Sequence, residues 1–146
     1  MTAARTLYVA EPPASYRRLP PAVVDSSIVC ALLFDEPARD AALATLGSHS
    51  LHTPRLLDYE VTNVAVNKLR ARMPEDAVQQ ALRDYRALPF EHHEVEPEAV
   101  WQLAHRYRLS AYDAAYLWLA AELKAPLATF DRRLGEAARA HLGTLE

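Results

Sequence analysis

Two short apolar runs, Ala22-Val23-Val24 and Leu127-Ala128-Thr129-Phe130, each stop at an aspartate, and a helical pattern begins directly after each. Runs this short and this apolar read as strands buried on both faces. Between them, helical segments alternate with two further strand candidates, Leu51 to Thr53 and Phe90 to Val95. Strands alternating with helices force parallel pairing, because each return to the sheet needs a crossover. The expected fold is α/β, a three-layer α/β/α sandwich with a mostly parallel central sheet. In such a sheet, ligands bind beyond the carboxyl ends of the strands, so Asp25 and Asp131 fall on the edge where chemistry is expected.

The expected helices cover Ser26 to Phe34, Pro37 to Leu46 (opened by Asp35 and closed by Gly47), and Pro54 to Arg72. Others run from Pro74 to Leu88, Pro97 to Tyr107, Ser110 to Leu123, and Asp131 to near Gly143. Residues 1–20 read as an N-terminal extension, interrupted by Pro12-Pro13 and Pro20, on which Tyr8, Val9 and Tyr16 can pin the segment to a surface. Residues 21–146 read as one domain, which the length of 146 residues and a 51% hydrophobic content accommodate.

Four acids stand out. Asp25 and Asp131 each fit a helix N-cap as well as a ligand position, since a carboxylate there accepts from free backbone N–H groups. Asp113 fits the third helical position of a capping box opened by Ser110. The run that follows it, Ala114 to Ala121, is apolar on every side, so a carboxylate at its mouth needs a cation or several donors. Glu60 shares a polar helical stripe with Asn63 and Asn67, beside an apolar arc of Leu57, Val61 and Val64. Asp58 is turned away from it by about 200°.

Other chemistries lack their parts. Cys30 is the single cysteine, which rules out an intramolecular disulfide and a thiolate zinc centre and suits a reducing compartment. The only glycines, Gly47, Gly135 and Gly143, never cluster into a phosphate-cradling loop, and there is no Gly-x-Ser-x-Gly elbow. His92 and His93 are neighbours in an expected strand, point to opposite faces and cannot share one metal. They read as surface or edge residues. With no apolar run long enough to span a bilayer and no secretory apolar centre near Met1, a soluble cytoplasmic protein with no membrane contact is expected. The net charge of −3 gives no global pull on nucleic acid.

The segments Val23-Val24-Asp25-Ser26-Ser27, Tyr59-Glu60-Val61-Thr62-Asn63, Ser110-Ala111-Tyr112-Asp113-Ala114-Ala115-Tyr116 and Thr129-Phe130-Asp131-Arg132-Arg133-Leu134 together resemble the PIN-domain ribonucleases. The nearest likeness is to the VapC toxins of bacterial toxin–antitoxin pairs. Leu33-Phe34-Asp35-Glu36-Pro37 and Leu142-Gly143 also suit that family, and the resemblance runs from residue 22 to residue 146. It implies an endoribonuclease whose Asp25, Glu60, Asp113 and Asp131 form an acidic pocket for Mg²⁺ or Mn²⁺. It further implies that Ser27 orients Asp25, that Thr129 supports Asp131, and that Asn63 lies near the site. A cognate antitoxin and a homodimer are implied as partners.

A hard cation that keeps several waters needs few carboxylates, and it offsets the negative charge of the pocket toward phosphate. Arg132 and Arg133, following Asp131, are candidates for RNA phosphates, and exposed helix arginines fit the same pattern. Two rivals share the site. A non-cutting PIN-like module that binds metal or a partner normally shows a lost acid, and all four positions are filled. A DNA-directed nuclease has the same acids.

Overall fold

The computed structural model describes residues 8, 10, 19–34 and 37–145. Four strands, β1 (Pro21–Val24), β2 (Ser50–Pro54), β3 (Phe90–His93) and β4 (Leu127–Ala128), form one sheet in the order β3-β2-β1-β4. Every pairing is parallel. The chain builds outward from β1 through β2 to β3, then crosses back to place β4 on the other side of β1. The strand order therefore reverses at β1, and open α/β sheets bind their ligands beyond the carboxyl ends of the strands at such a point.

The alternation of side chains along β1 explains the three layers. Val24 faces a core shared with Ile28, Val29, Leu57, Val61, Val78 and Tyr85. These come from α1 (Ser26–Leu33), α3 (Leu56–Arg70) and α4 (Glu75–Ala87). Val23 faces the opposite core with Tyr116, Leu117, Leu119, Leu134 and Ala138. This second face is covered by α6 (Ala111–Leu123) and α7 (Arg132–Leu142), with α5 (Pro97–Tyr107) packed on α6. Both valines are fully buried, each worth about 1.5–3 kcal/mol of transfer free energy. The all-round apolar α6 is the central helix of its layer, as a helix without a polar face must be.

The boundaries depart from the sequence expectation at informative places. Pro54 ends β2 instead of opening the next helix, and α3 begins at Leu56. Proline has no N–H to give the ladder, and the following Arg55 N–H donates to the His93 carbonyl. The last strand stops at Ala128, short of Phe130, whose backbone N–H donates to the Ser27 hydroxyl in the first turn of α1 instead of to a strand. β3 ends at His93, two residues before Val95. Pro74 caps α4 from outside the helix. The second helix, α2 (Arg39–Leu46), starts two residues later than expected and has no side-chain cap. The expected cap Asp35 lies outside the described residues, as do Val9 and Tyr16 of the N-terminal extension, while Tyr8 is 88% exposed. No helix among the described residues is long and apolar enough to cross a membrane.

Candidate functional site

β1 and β4 run side by side with Val24 opposite Ala128, so the next residues, Asp25 and Thr129, leave the sheet together. Asp25 caps α1. Its Oδ1 accepts from the Ser27 N–H at 3.1 Å, the Ser27 hydroxyl at 2.6 Å and the Ile28 N–H at 3.3 Å. Its Oδ2 accepts from the Thr129 hydroxyl. Phe130 N–H donates to Ser27 Oγ at 2.9 Å, and Asp131 N–H to Thr129 Oγ1 at 2.9 Å. One network therefore fixes the ends of both strands. Ser27 stands in the place expected for orienting Asp25. Thr129 gives its proton to Asp25 and receives one from the Asp131 backbone, so it holds Asp131 through the main chain.

The other acids arrive from α3, α6 and α7. Glu60 accepts from the Tyr116 hydroxyl at 2.7 Å through Oε1 and from the Ser26 hydroxyl at 3.2 Å through Oε2. Asp113 is half-buried at the mouth of α6, and its backbone N–H donates to the Ser110 hydroxyl at 3.1 Å. Asp131 is exposed and caps α7, accepting from the Leu134 N–H at 2.8 Å. Capping and clustering thus coexist in Asp25 and Asp131, where the sequence offered them as alternatives.

The electrostatics tie these acids to one another. Burial raises the pKa of Asp25 against the pull of its hydrogen bonds from Ser27 and Thr129. Burial raises that of Glu60, and the charges on Asp113 and Asp25 push the same way. Burial also raises Asp113, with Asp131 and Asp25 adding repulsion and Arg133 offsetting part of it. Tyr116, buried against Glu60, is pushed strongly up and stays a hydrogen-bond donor. A set of desolvated, mutually repelling carboxylates is the state that a hard divalent cation relieves. Among the described residues no three of these carboxylates bring oxygens within 4.8 Å of one another. That spacing suits a cation which keeps part of its water shell and meets few ligands directly.

Asn63 lies one turn beyond Glu60 and lines a cleft of about 520 Å³ with Leu56, Tyr59, Glu60 and Tyr112. Arg133 acts on Asp113 and donates to the Arg108 carbonyl at 2.7 Å. Arg132 turns to Glu136 on its own helix, at 2.9 Å, and the structure does not bring it to the acids. Asp58 is likewise elsewhere, accepting from the Tyr85 hydroxyl at 2.6 Å, as its angular displacement from Glu60 requires.

Sequence reasoning missed Ser26, Tyr116 and the two exposed rings of Tyr59 and Tyr112. Tyr116 carried a signal: a phenol inside an apolar helix needs a partner for its hydroxyl, and it sits one turn after Asp113.

The chain matches the family model of the PIN domain over residues 22–140. It is 35% identical to a VapC ribonuclease of Mycobacterium bovis over 81% of this chain and 91% of that protein. It is 32% identical to ribonuclease VapC3 of Pyrobaculum aerophilum, over 78% of this chain and 92% of the relative. Among solved structures it resembles VapC20 of Mycobacterium tuberculosis, a sarcin-ricin loop cleaving toxin, with a TM-score of 0.60. That pair shares 17% identity over 80% of this chain and 94% of the other.

Proposed function

The chain belongs to the PIN-domain family and is an endoribonuclease of the VapC toxin kind. From that premise we propose that Asp25, Glu60, Asp113 and Asp131 hold Mg²⁺ or Mn²⁺ and cleave an RNA phosphodiester at the sheet edge where the strand order reverses. The observation that carries this is the convergence of the acids on one sheet edge: Asp25 and Asp131 leave the adjacent strand ends joined through Thr129, Ser26 next to Asp25 donates to Glu60, and Asp113 feels the charges of Asp131 and Asp25. When bound, the ion offsets that charge, lowers the pKa of water and stabilises the charge that builds on phosphate.

The chain's own residues do the positioning. Ser27 and Thr129 lock the Asp25 carboxylate in one orientation, and Tyr116 with Ser26 does the same for Glu60. Arg133, whose charge acts on Asp113, is the arginine proposed to meet an RNA phosphate, while Arg132 pairs with Glu136 on its own helix. Residues 21–146 form the nuclease unit and residues 1–20 an extension to it. A cognate antitoxin, closing the pocket with a basic side chain, and a second copy of the chain are the proposed protein partners.

The cleft beside Glu60 supplies a grip that does not depend on net charge. Tyr59 and Tyr112 are 79% and 66% exposed and line it together. Exposed ring faces next to a phosphate-cleaving pocket suit stacking of single-stranded bases, worth about 1–3 kcal/mol each. Tyr112→Ala is expected to weaken binding of a single-stranded RNA about tenfold while leaving the melting temperature unchanged, as fluorescence anisotropy and thermal melting measure. Unchanged RNA affinity in this variant removes the stacking role.

The substrate class is tested by offering total RNA and single-stranded DNA of matched length to the purified chain with Mg²⁺. RNA fragments with intact DNA are expected. DNA cleaved as fast as RNA overturns the ribonuclease reading, and both substrates left intact favour a module that binds without cutting.

A further inference from the structure

The outer edge of the sheet carries a second cluster with different chemistry. In the parallel pairing of β2 with β3, His52 stands opposite Glu91 and Pro54 opposite His93. Side chains two apart on a strand share a face, so His52, Glu91 and His93 project on the same side. His52 Nδ1 lies 2.8 Å from His93 Nε2 and 3.2 Å from Glu91 Oε2. One ligand atom from each of the three falls within 4.8 Å of the others. His52 is buried, whereas Glu91 is exposed and His93 half-buried at the rim. The far nitrogen of His52, Nε2, is 3.1 Å from Ser50 Oγ.

Two imidazole nitrogens this close need a proton between them, because their lone pairs repel. A cation can take that proton's place. At bonds of about 2.0–2.1 Å, a tetrahedral metal spaces its ligand atoms about 3.4 Å apart. The two contacts of His52 are within about half an ångström of that spacing, and rotation of the rim side chains His93 and Glu91 opens them. Ser50 supplies the partner that a ligating histidine needs on its other nitrogen, fixing the tautomer with Nδ1 turned inward.

We propose that His52, Glu91 and His93 form a binding site for a divalent transition-metal cation of the Zn²⁺ class, with its remaining position open to water. Two imidazoles and a single carboxylate favour Zn²⁺, Ni²⁺ or Cu²⁺, whereas Mg²⁺ and Mn²⁺ favour oxygen donors such as the acid cluster. The ion ties the edge strand β3 to β2. The site shares no residue with the acid cluster, and its occupancy is independent of the nuclease reaction.

Calorimetric titration of the EDTA-treated, dialysed full chain with ZnCl₂ tests the proposal. Wild type is expected to bind a single equivalent at this site, and Asp113→Asn to bind it equally well. His93→Gln and Glu91→Gln, both changes at the rim, are expected to lose affinity by at least about tenfold, with RNA cleavage retained. Zinc is also expected to raise the melting temperature of wild type and of Asp113→Asn, but not of His93→Gln. Equal affinity in wild type and His93→Gln, no zinc binding at all, or zinc binding lost only in Asp113→Asn each overturns the proposal.

Discussion

Asp113→Asn is expected to lower RNA cleavage about a thousandfold or more, equivalent to about 4 kcal/mol of transition-state stabilisation, while the metal-free protein melts higher than wild type. The two effects share one cause. Asp113 is half-buried beside the charges of Asp131 and Asp25, and that repulsion raises its pKa beyond the effect of burial. Asparagine keeps the shape and removes the charge. It therefore relieves the metal-free fold while deleting one of the proposed metal ligands, the usual opposition of stability and activity. Asp25→Asn is a less clean change, because an amide group replaces one of two oxygens that accept from Ser27, Ile28 and Thr129. Single-turnover cleavage and thermal melting of the same preparations measure both effects. A variant that melts lower and keeps its specific activity returns Asp113 to the role of a helix-end residue.

The metal-free protein is expected to lose stability as pH rises from about 4 toward neutrality, and saturating Mg²⁺ to abolish most of that loss. Asp25, Glu60 and Asp113 all hold their protons more tightly in the fold than at the ordinary values of 3.8 for Asp and 4.5 for Glu. The folded state thus binds more protons than the unfolded chain in the window above those values, and stability must fall as pH rises through it. The penalty is absent below the unfolded pKa values and complete above the folded ones. His141 acts in the opposite sense, because burial lowers its pKa and its contribution is lost as pH falls. Comparison with Asp113→Asn, which is expected to show a shallower decline, separates the acids from His141. At Mg²⁺ a hundredfold above its Kd, linkage gives about 2.7 kcal/mol. For a chain of this size that is about 5–10 °C in Tm near neutral pH. A metal-free protein whose stability rises steadily to neutrality, with no response to Mg²⁺, contradicts the proposed charge cluster.

The positions of Asp25 and Asp131 were legible because a short apolar strand, an acid and a helix start form a local signal at each. The helix Pro97–Tyr107 was legible from its proline entry and apolar spacing. The assignment of Glu60 and Asp113 to the same pocket rested on family resemblance, since neither spacing nor composition shows that α3 and α6 meet there. Hydrogen bonds across the fold were not legible. Tyr116 and Ser26 reach Glu60 across 56 and 34 residues, and nothing local announces either contact. Local propensity misplaced Pro54 because the ladder of β3, a tertiary feature, settles whether it ends a strand or opens a helix. Likewise His92 and His93 do diverge, with His92 Nε2 3.3 Å from Asp58. The meeting of His93 with His52 depends on the β2–β3 register, which no segment reveals by itself.

The proposed mechanism has the acids act on RNA through a divalent cation. Its most direct test is cleavage of total cellular RNA by EDTA-treated wild type, followed by stepwise return of Mg²⁺ or Mn²⁺. Intact RNA in EDTA and saturable recovery of discrete fragments with added metal are predicted. Fragments produced as readily in EDTA as in Mg²⁺ contradict the account.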